Sequence, residues 1–545
     1  MASTSSPMVI DRDSSLARME VVTTSSSSSN GGGGRSCSLA SRPVEQGDAL
    51  ESNILSSSMD MANAKQCVSM EDILPNALLG EIFSHLCDAR DLSRAALVNS
   101  SFRTQCKFAK NVRFNCKLQN VSKKPAKDGV VAPAVTPFKQ TVLSMVKNLT
   151  CVETLRLEID ENVQQSRFKE DEVDRASLWL SESSFVNSWL PPVSETLTSL
   201  TLIDYGPQAI FHSSPLLPLL SKHCQQLRRL ELRNMFLDSK GCSKMNKVTY
   251  LSLKCVKLME NGLQDISEMM PNLEHIIFQT VVGLVEARLK SDCLKLLCLT
   301  FATRVQAVKL ESTSLKTLQL KMVQCPAELR VKAPNLEALA LRMTKGDRCV
   351  VEFEGVRKLK EVLMGGHELS ILQKLSSQNR SIQKAFLDVP CMIFDDVGAW
   401  RGVKPLPPPL EGSPPRPTIE GLRSCCSGMN SLSVGPGLWH CLEQGIISSA
   451  EGAPVVFHPW TSLTRLILHL VLQDKKVCYG LLISLVSAMP HLSLLEVYVH
   501  GEDKIEADEM RLRLVDQFPK LVLTCDSWIR SMKFDAFDDV KKQGG

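Results

Sequence analysis

One spaced triplet, apolar-x-x-apolar-x-apolar, constrains this chain more than anything else in it. It recurs at Val152/Leu155/Leu157, Leu197/Leu200/Leu202, Leu227/Leu230/Leu232, Val248/Leu251/Leu253, Leu273/Ile276/Phe278, Leu294/Leu297/Leu299, Leu315/Leu318/Leu320, Leu336/Leu339/Leu341, Leu359/Val362/Met364, Leu463/Leu466/Leu468 and Leu492/Leu495/Val497. In a chain that is 43% hydrophobic, such a triplet arises by chance about forty times, so its presence alone decides nothing. Its step does. From Leu227 to Leu359 successive starts lie 21, 25, 21, 21, 21 and 23 residues apart. Chance does not hold that interval, and it suits a solenoid in which each turn of the chain contributes one short strand.

The rest of each turn can be read from its punctuation. Pro-x-Leu stands at the strand entrance in Pro271-Asn272-Leu273, Pro334-Asn335-Leu336 and Pro490-His491-Leu492, where proline ends the preceding element. Val305/Val308/Leu310 and Pro326/Leu329/Val331 fall about halfway between main triplets, which predicts short outer strands. Gly262–Met270 and Tyr479–Ala488 predict outer helices instead. Each strand is expected to put the first and third apolar residues of its triplet into the core, with the intervening polar residues facing solvent on the concave side.

Ahead of the repeats, Leu78, Leu79, Ile82, Phe83 and Leu86 follow Leu74-Pro75 at helical intervals, with Pro75 suited to a first turn. Asp91 is placed to cap a second short helix with Leu92, Ala95, Ala96, Leu97 and Val98. Asn99-Ser100-Ser101 is placed to cap a third with Phe102, Cys106 and Phe108. Three helices in about forty residues bury little by themselves and depend on a neighbour or partner.

Leu74-Pro75, Leu78-Leu79, Ile82-Phe83, Leu86, Arg90-Asp91-Leu92, Leu97-Val98-Asn99-Ser100 and Phe102-Arg103 together resemble the F-box. The chain departs from its pattern in two ways: Phe102 replaces the usual Trp, and Ser100 and Ser101 stand where basic residues are common. With irregular repeats downstream, and a Phe185-Val186-Asn187-Ser188-Trp189-Leu190 phrase leading to Leu197, the chain is similar to plant F-box/leucine-rich-repeat proteins over roughly 73–528. The fold expected is α/β: a small three-helix F-box, then an irregular leucine-rich-repeat solenoid with a parallel concave sheet and outer helices or short strands.

That resemblance implies a non-catalytic substrate-recognition subunit of an SCF-type ubiquitin ligase. Leu74, Pro75, Leu78, Leu79, Ile82, Phe83, Leu86, Leu92, Val98 and Phe102 would form or support the surface for a Skp-type adaptor, which joins a cullin scaffold, while the repeats hold a protein target. The alternative is a binding scaffold or small-molecule sensor whose F-box is not used for ubiquitination. Arg156, Arg233, Lys254, Gln319 and Arg342, at or just beyond successive triplets, are the candidate target-binding stripe, suited to an acidic or phosphorylated segment.

The expected organisation is a Ser/Gly-rich disordered tail at 1–69, the F-box at 70–115, a basic linker at 116–142, the solenoid at 143–530 with a Pro-rich flexible insertion at about 391–460, and a flexible tail at 531–545. Pro405-Leu406-Pro407-Pro408-Pro409 and Pro414-Pro415-Arg416-Pro417 mark that insertion as polyproline-like. The 63 basic and 59 acidic residues give +4 overall, too little for a general nucleic-acid or membrane role. With no export signal or long apolar run, a soluble chain in the cytoplasm, the nucleus or both is expected, with Lys123-Lys124-Pro125-Ala126-Lys127 a weak import candidate. Nineteen scattered cysteines without Cys-x-x-Cys predict reduced thiols and neither a zinc module nor a cofactor. No nucleophile motif is present, and His275 and His469, at polar triplet positions, are expected to be surface residues.

Overall fold

A computed structural model describes residues 76–118, 136–165, 178–259, 262–302, 305–322, 326–343, 349–365, 370–379, 381–389, 392–394, 400–403, 417–449, 457–472, 474–501 and 505–528. Both expected tails, Leu74, Pro75, the 123–127 cluster and Pro405–Pro409 lie outside them. Three short helices come first: α1 (Asn76–His85), α2 (Ala89–Ala95) and α3 (Ser100–Cys106). The strands, in chain order, are β1 (Asn111–Cys116), β2 (Thr154–Ile159), β3 (Ser199–Ile203), β4 (Ser213–Ser214), β5 (Arg229–Leu237), β6 (Tyr250–Leu258), β7 (His275–Val282), β8 (Glu286–Lys290), β9 (Leu296–Ala302), β10 (Ala307–Glu311), β11 (Thr317–Met322), β12 (Glu328–Lys332), β13 (Ala338–Met343), β14 (Val350–Glu354), β15 (Glu361–Gly365), β16 (Lys384–Asp388), β17 (Met392–Phe394), β18 (Trp400–Val403), β19 (Ser431–Val434), β20 (Arg465–Leu470), β21 (Leu494–His500) and β22 (Val522–Trp528).

The main sheet is parallel and follows chain order from β1 to β22, with β4 paired only to β5, the half-turn strands β8, β10, β12 and β14 removed into a second, outer parallel sheet, and β17 and β18 forming a separate antiparallel pair. Triplet residues stack in register: Leu230, Leu251, Ile276, Leu297, Leu318 and Leu339 form one buried ladder, and Leu232, Leu253, Phe278, Leu299, Leu320 and Leu341 form the next. The outer strands return Ala287, Val308 and Leu329 to the same core. Outer helices, including Gly262–Met269 and Lys475–Ser487, close the other turns.

The regular step has a backbone cause. Each strand entrance hangs on a carbonyl one turn earlier: Lys295 N on Glu274 O, Lys316 N on Lys295 O, and Glu337 N on Lys316 O, at 2.8–2.9 Å. The Pro-Asn-Leu phrases use their asparagine in the same way. Asn272 Nδ2 donates to Asn246 O at 2.8 Å, and Asn335 Nδ2 to Thr313 O at 2.6 Å.

Three sequence expectations need correction. The sheet begins earlier than expected: Asn111–Cys116, across the expected end of the F-box at 115, is already β1 paired with β2, and Pro137–Val146, across the expected linker end at 142, is a helix. The alternation Val112, Phe114, Cys116 carried that signal beneath a run of cations. The expected flexible insertion contains a helix at Ile419–Cys425, β19 in the main sheet and a helix at Pro436–Ser449. Its strand has the same spacing, Met429/Leu432/Val434, as β16 has in Ile382/Ala385/Leu387. Finally, α2 is capped by Asp88, whose carboxylate accepts from Arg90 N at 2.8 Å, while Asp91 sits within its first turn.

Candidate functional site

Two surfaces stand out, of opposite chemistry. On α1 the pair Leu79 and Phe83, one turn apart, points into the protein, while Leu78 and Ile82, the next pair, points out with 51% and 48% of their surface exposed. Leu97 and Val98, between α2 and α3, are 78% and 66% exposed. Leu92 is buried, Leu86 and Phe102 are half-buried, and Phe102 meets Phe83 edge-to-face with centroids 5.1 Å apart. The expected adaptor-binding set thus divides into outward Leu78, Ile82 and Val98 and inward Leu79, Phe83 and Leu92. Leu97 belongs with the outward group.

This unit is stitched to the sheet. Arg113 N, in β1, donates to Cys87 O at 2.6 Å, and Thr150 N donates to Lys107 O at 2.9 Å. Ala109 and Val112 are fully enclosed at the junction. A body held on the helices is therefore fixed relative to the sheet.

The second surface is the polar face of the main sheet, where residues at equal register form rungs. Arg156 shares one rung with Thr201, Glu231, Ser252, Ile277, Cys298 and Gln319. Two residues further along, Arg233, Lys254, Gln279, Thr300, Lys321 and Arg342 form another. This second rung holds four cations and no carboxylate over six strands, a span of about 24 Å at ordinary strand spacing. It brings together Arg233, Lys254 and Arg342 of the expected stripe and adds Lys321, which the sequence marks by its place one residue beyond Leu320.

The five expected residues are not equivalent. Arg156 Nε donates to the buried Glu158 at 2.5 Å, and Arg113 Nε donates to the same carboxylate at 2.6 Å, so this cation is engaged within the fold. Gln319 Oε1 accepts from Cys298 Sγ at 3.2 Å. Arg233 makes no ion pair among the described residues, and its Nε is enclosed without a hydrogen-bond partner. Directly after it Asn234 has φ 61°, and Cys255 and Thr280 repeat that left-handed geometry after Lys254 and Gln279. These extra residues leave the basic side chains outside while returning Met235, Val256 and Val281 to the core.

Arg342 differs most from expectation. Its side chain lies over Gly365, where an added Cβ would come within 3.1 Å of Arg342 Cγ, and Asp388 acts on it electrostatically. Burial lowers its pKa, with Asp388 opposing. Asp388 itself accepts from Gly437 N at 3.0 Å and Leu438 N at 3.3 Å, at the start of helix Pro436–Ser449, and burial raises its pKa to about 6.

Beyond this point the polar face closes: Leu363, Ser433 and His469 are all buried on it. His469 is therefore not the surface residue expected. It stacks on Tyr498 with rings 5.0 Å apart and nearly parallel, hydrogen-bonds the Val434 backbone and leaves Nδ1 without a partner; burial lowers its pKa to about 4. His275 is half-buried beside Tyr250, its pKa also lowered by desolvation. Among the described residues no group of His, Cys, Asp and Glu is arranged to hold a metal ion, and no helix is long and apolar enough to cross a membrane.

The F-box-like family pattern matches residues 72–107, which include α1, α2 and α3. The chain carries an F-box-like region. It is also 27% identical over 282 residues to the F-box/LRR-repeat protein At4g29420 of Arabidopsis thaliana, an alignment covering 52% of this chain and 57% of that protein. An F-box-like helical region followed by a long parallel sheet of leucine-rich-repeat type is thus the architecture of this chain, with a distant relationship to a plant F-box/LRR protein.

Proposed function

We propose that the chain is the substrate-recognition subunit of an SCF-type ubiquitin ligase. Leu78, Ile82, Leu97 and Val98 on the F-box-like helices dock a Skp-type adaptor, the adaptor joins a cullin scaffold, and the basic rung of the repeats holds a target protein. The subunit itself performs no bond chemistry. It raises the effective concentration of target lysines at another protein's active centre. The observation that carries this reading is a small unit matching the F-box-like pattern that leaves large apolar side chains outside, while its backbone is tied to the first strand of the sheet.

Arg233, Lys254 and Lys321, with Gln279 and Thr300 between them, favour an acidic or phosphorylated target segment. Affinity purification with and without proteasome inhibition identifies the target. Reconstitution with adaptor, cullin and conjugating enzyme then tests the assignment: ubiquitin transfer to that target requires both the helices and the repeats. Adaptor binding without transfer would favour the scaffold reading.

A further inference from the structure

The outer sheet ends differently on its two sides. Helix Gly262–Met269 packs against β8 at one edge. At the other edge, β14 pairs only with β12 among the described residues. Val350 N donates to Ala327 O at 3.0 Å, so the main-chain groups of Val350, Glu352 and Glu354 turn toward β12, and those of Val351 and Phe353 turn outward. Beside this outward edge stands helix Ser370–Gln378, where the outer layer changes from strand to helix. A cleft of about 370 Å³ lies between them. Val351, Phe353, Ile371 and Leu375 give it apolar walls, and Glu354 and Lys374 stand at its polar margin. Proteins usually cover, kink or block a strand edge with proline or lysine, and β14 carries neither residue.

We propose that β14 receives an extended segment of a partner protein as a fifth strand of the outer sheet. The chemistry of that segment follows from the edge. Glu352 and Glu354 lie on the outer side of the strand two residues apart, and one lysine, Lys374, stands near them in the cleft. Glu354 makes no ion pair among the described residues, and the Arg330 that approaches Glu352 at 3.3 Å is held more closely by Glu328. Cross-strand pairing sets like positions side by side, so the incoming strand places Lys or Arg at alternate residues beside the two glutamates. The residues between them are apolar and enter the cleft beside Val351 and Phe353. This site faces away from the basic rung and does not rest on the ligase reading.

Fluorescence anisotropy with the full chain tests it, using three labelled peptides of equal length: alternating Lys and Val, alternating Glu and Val, and the Lys/Val peptide N-methylated at every second residue. The Lys/Val peptide binds, the Glu/Val peptide binds at least about fivefold more weakly, and N-methylation costs about tenfold. Exposed Glu354→Lys weakens Lys/Val binding by about fivefold while leaving the melting temperature unchanged. No Lys/Val binding, equal binding of the two charge patterns, or indifference to N-methylation or to Glu354→Lys overturns the proposal. Sedimentation of the chain alone gives one further arm, since a dimer lost in Glu354→Lys would assign the edge to a second copy and overturn the partner segment.

Discussion

The F-box-like helices and the sheet handle apolar residues in opposite ways. In the sheet, the two triplet ladders are buried throughout and the open face carries charge. In the helices, α1 carries two apolar pairs, Leu79/Phe83 and Leu78/Ile82, on adjacent faces, and only the first is buried. The sheet is long enough to satisfy its own hydrophobic residues and is free to use its surface for selection. The helical unit is too short for that, and the residues it leaves outside are the ones a partner would cover.

Truncation in either core breaks the comparison at its base. Leu318→Ala in β11 and Leu79→Ala in α1 each remove an enclosed side chain, and each is expected to cost about 2–5 kcal/mol in chemical denaturation. A small loss at Leu79 would mean that α1 has no core side.

The closed part of the sheet face sharpens the contrast with its open part. The pKa of His469 is lowered to about 4 in the fold against an ordinary 6.5, so the unfolded chain binds the proton more readily between these values. Its contribution to stability is full above pH 6.5 and is lost as pH falls toward 4, a loss of about 3 kcal/mol. In His469→Gln the acid-induced fall in unfolding free energy over that window is expected to shrink by a similar amount. Identical pH profiles would place His469 in solvent.

On the open part, Arg233→Gln with Lys254→Gln and Lys321→Gln is expected to abolish target capture and leave adaptor binding intact, with a stability change within about 1 kcal/mol. Arg342 is left out of that set because its half-buried side chain lies over Gly365 and feels the Asp388 charge, so its loss would disturb the fold. Undiminished capture by the triple variant would remove the basic rung as the target surface.

Much of the fold was legible because the repeat step is set locally. Each triplet and each Pro-Asn-Leu phrase contains its own instruction, and the half-turn strands around Val308 and Leu329 announced themselves by the same alternation. β1 and β19 were obscured for different reasons. The alternation in β1 lies inside a basic run, and β19 sits in a stretch whose prolines and length suggested an insertion. The outward rung is legible as a position beyond the third apolar residue, which marks Arg233, Lys254 and Lys321 alike. The burial of Arg342 and His469 was not legible, since it depends on Gly365, Asp388 and Tyr498 arriving from other strands.

The most direct test of the contrast is a binding titration of the Skp-type adaptor against the full chain and against Leu78→Ala/Ile82→Ala, with melting temperatures measured in parallel. Both residues lie outside the core, so the variant is expected to melt within about 2 °C of the parent, while adaptor affinity falls by about 100-fold or more. Unchanged adaptor binding by a folded double variant, or no adaptor binding by the parent chain, would contradict the assignment of this face as the docking surface.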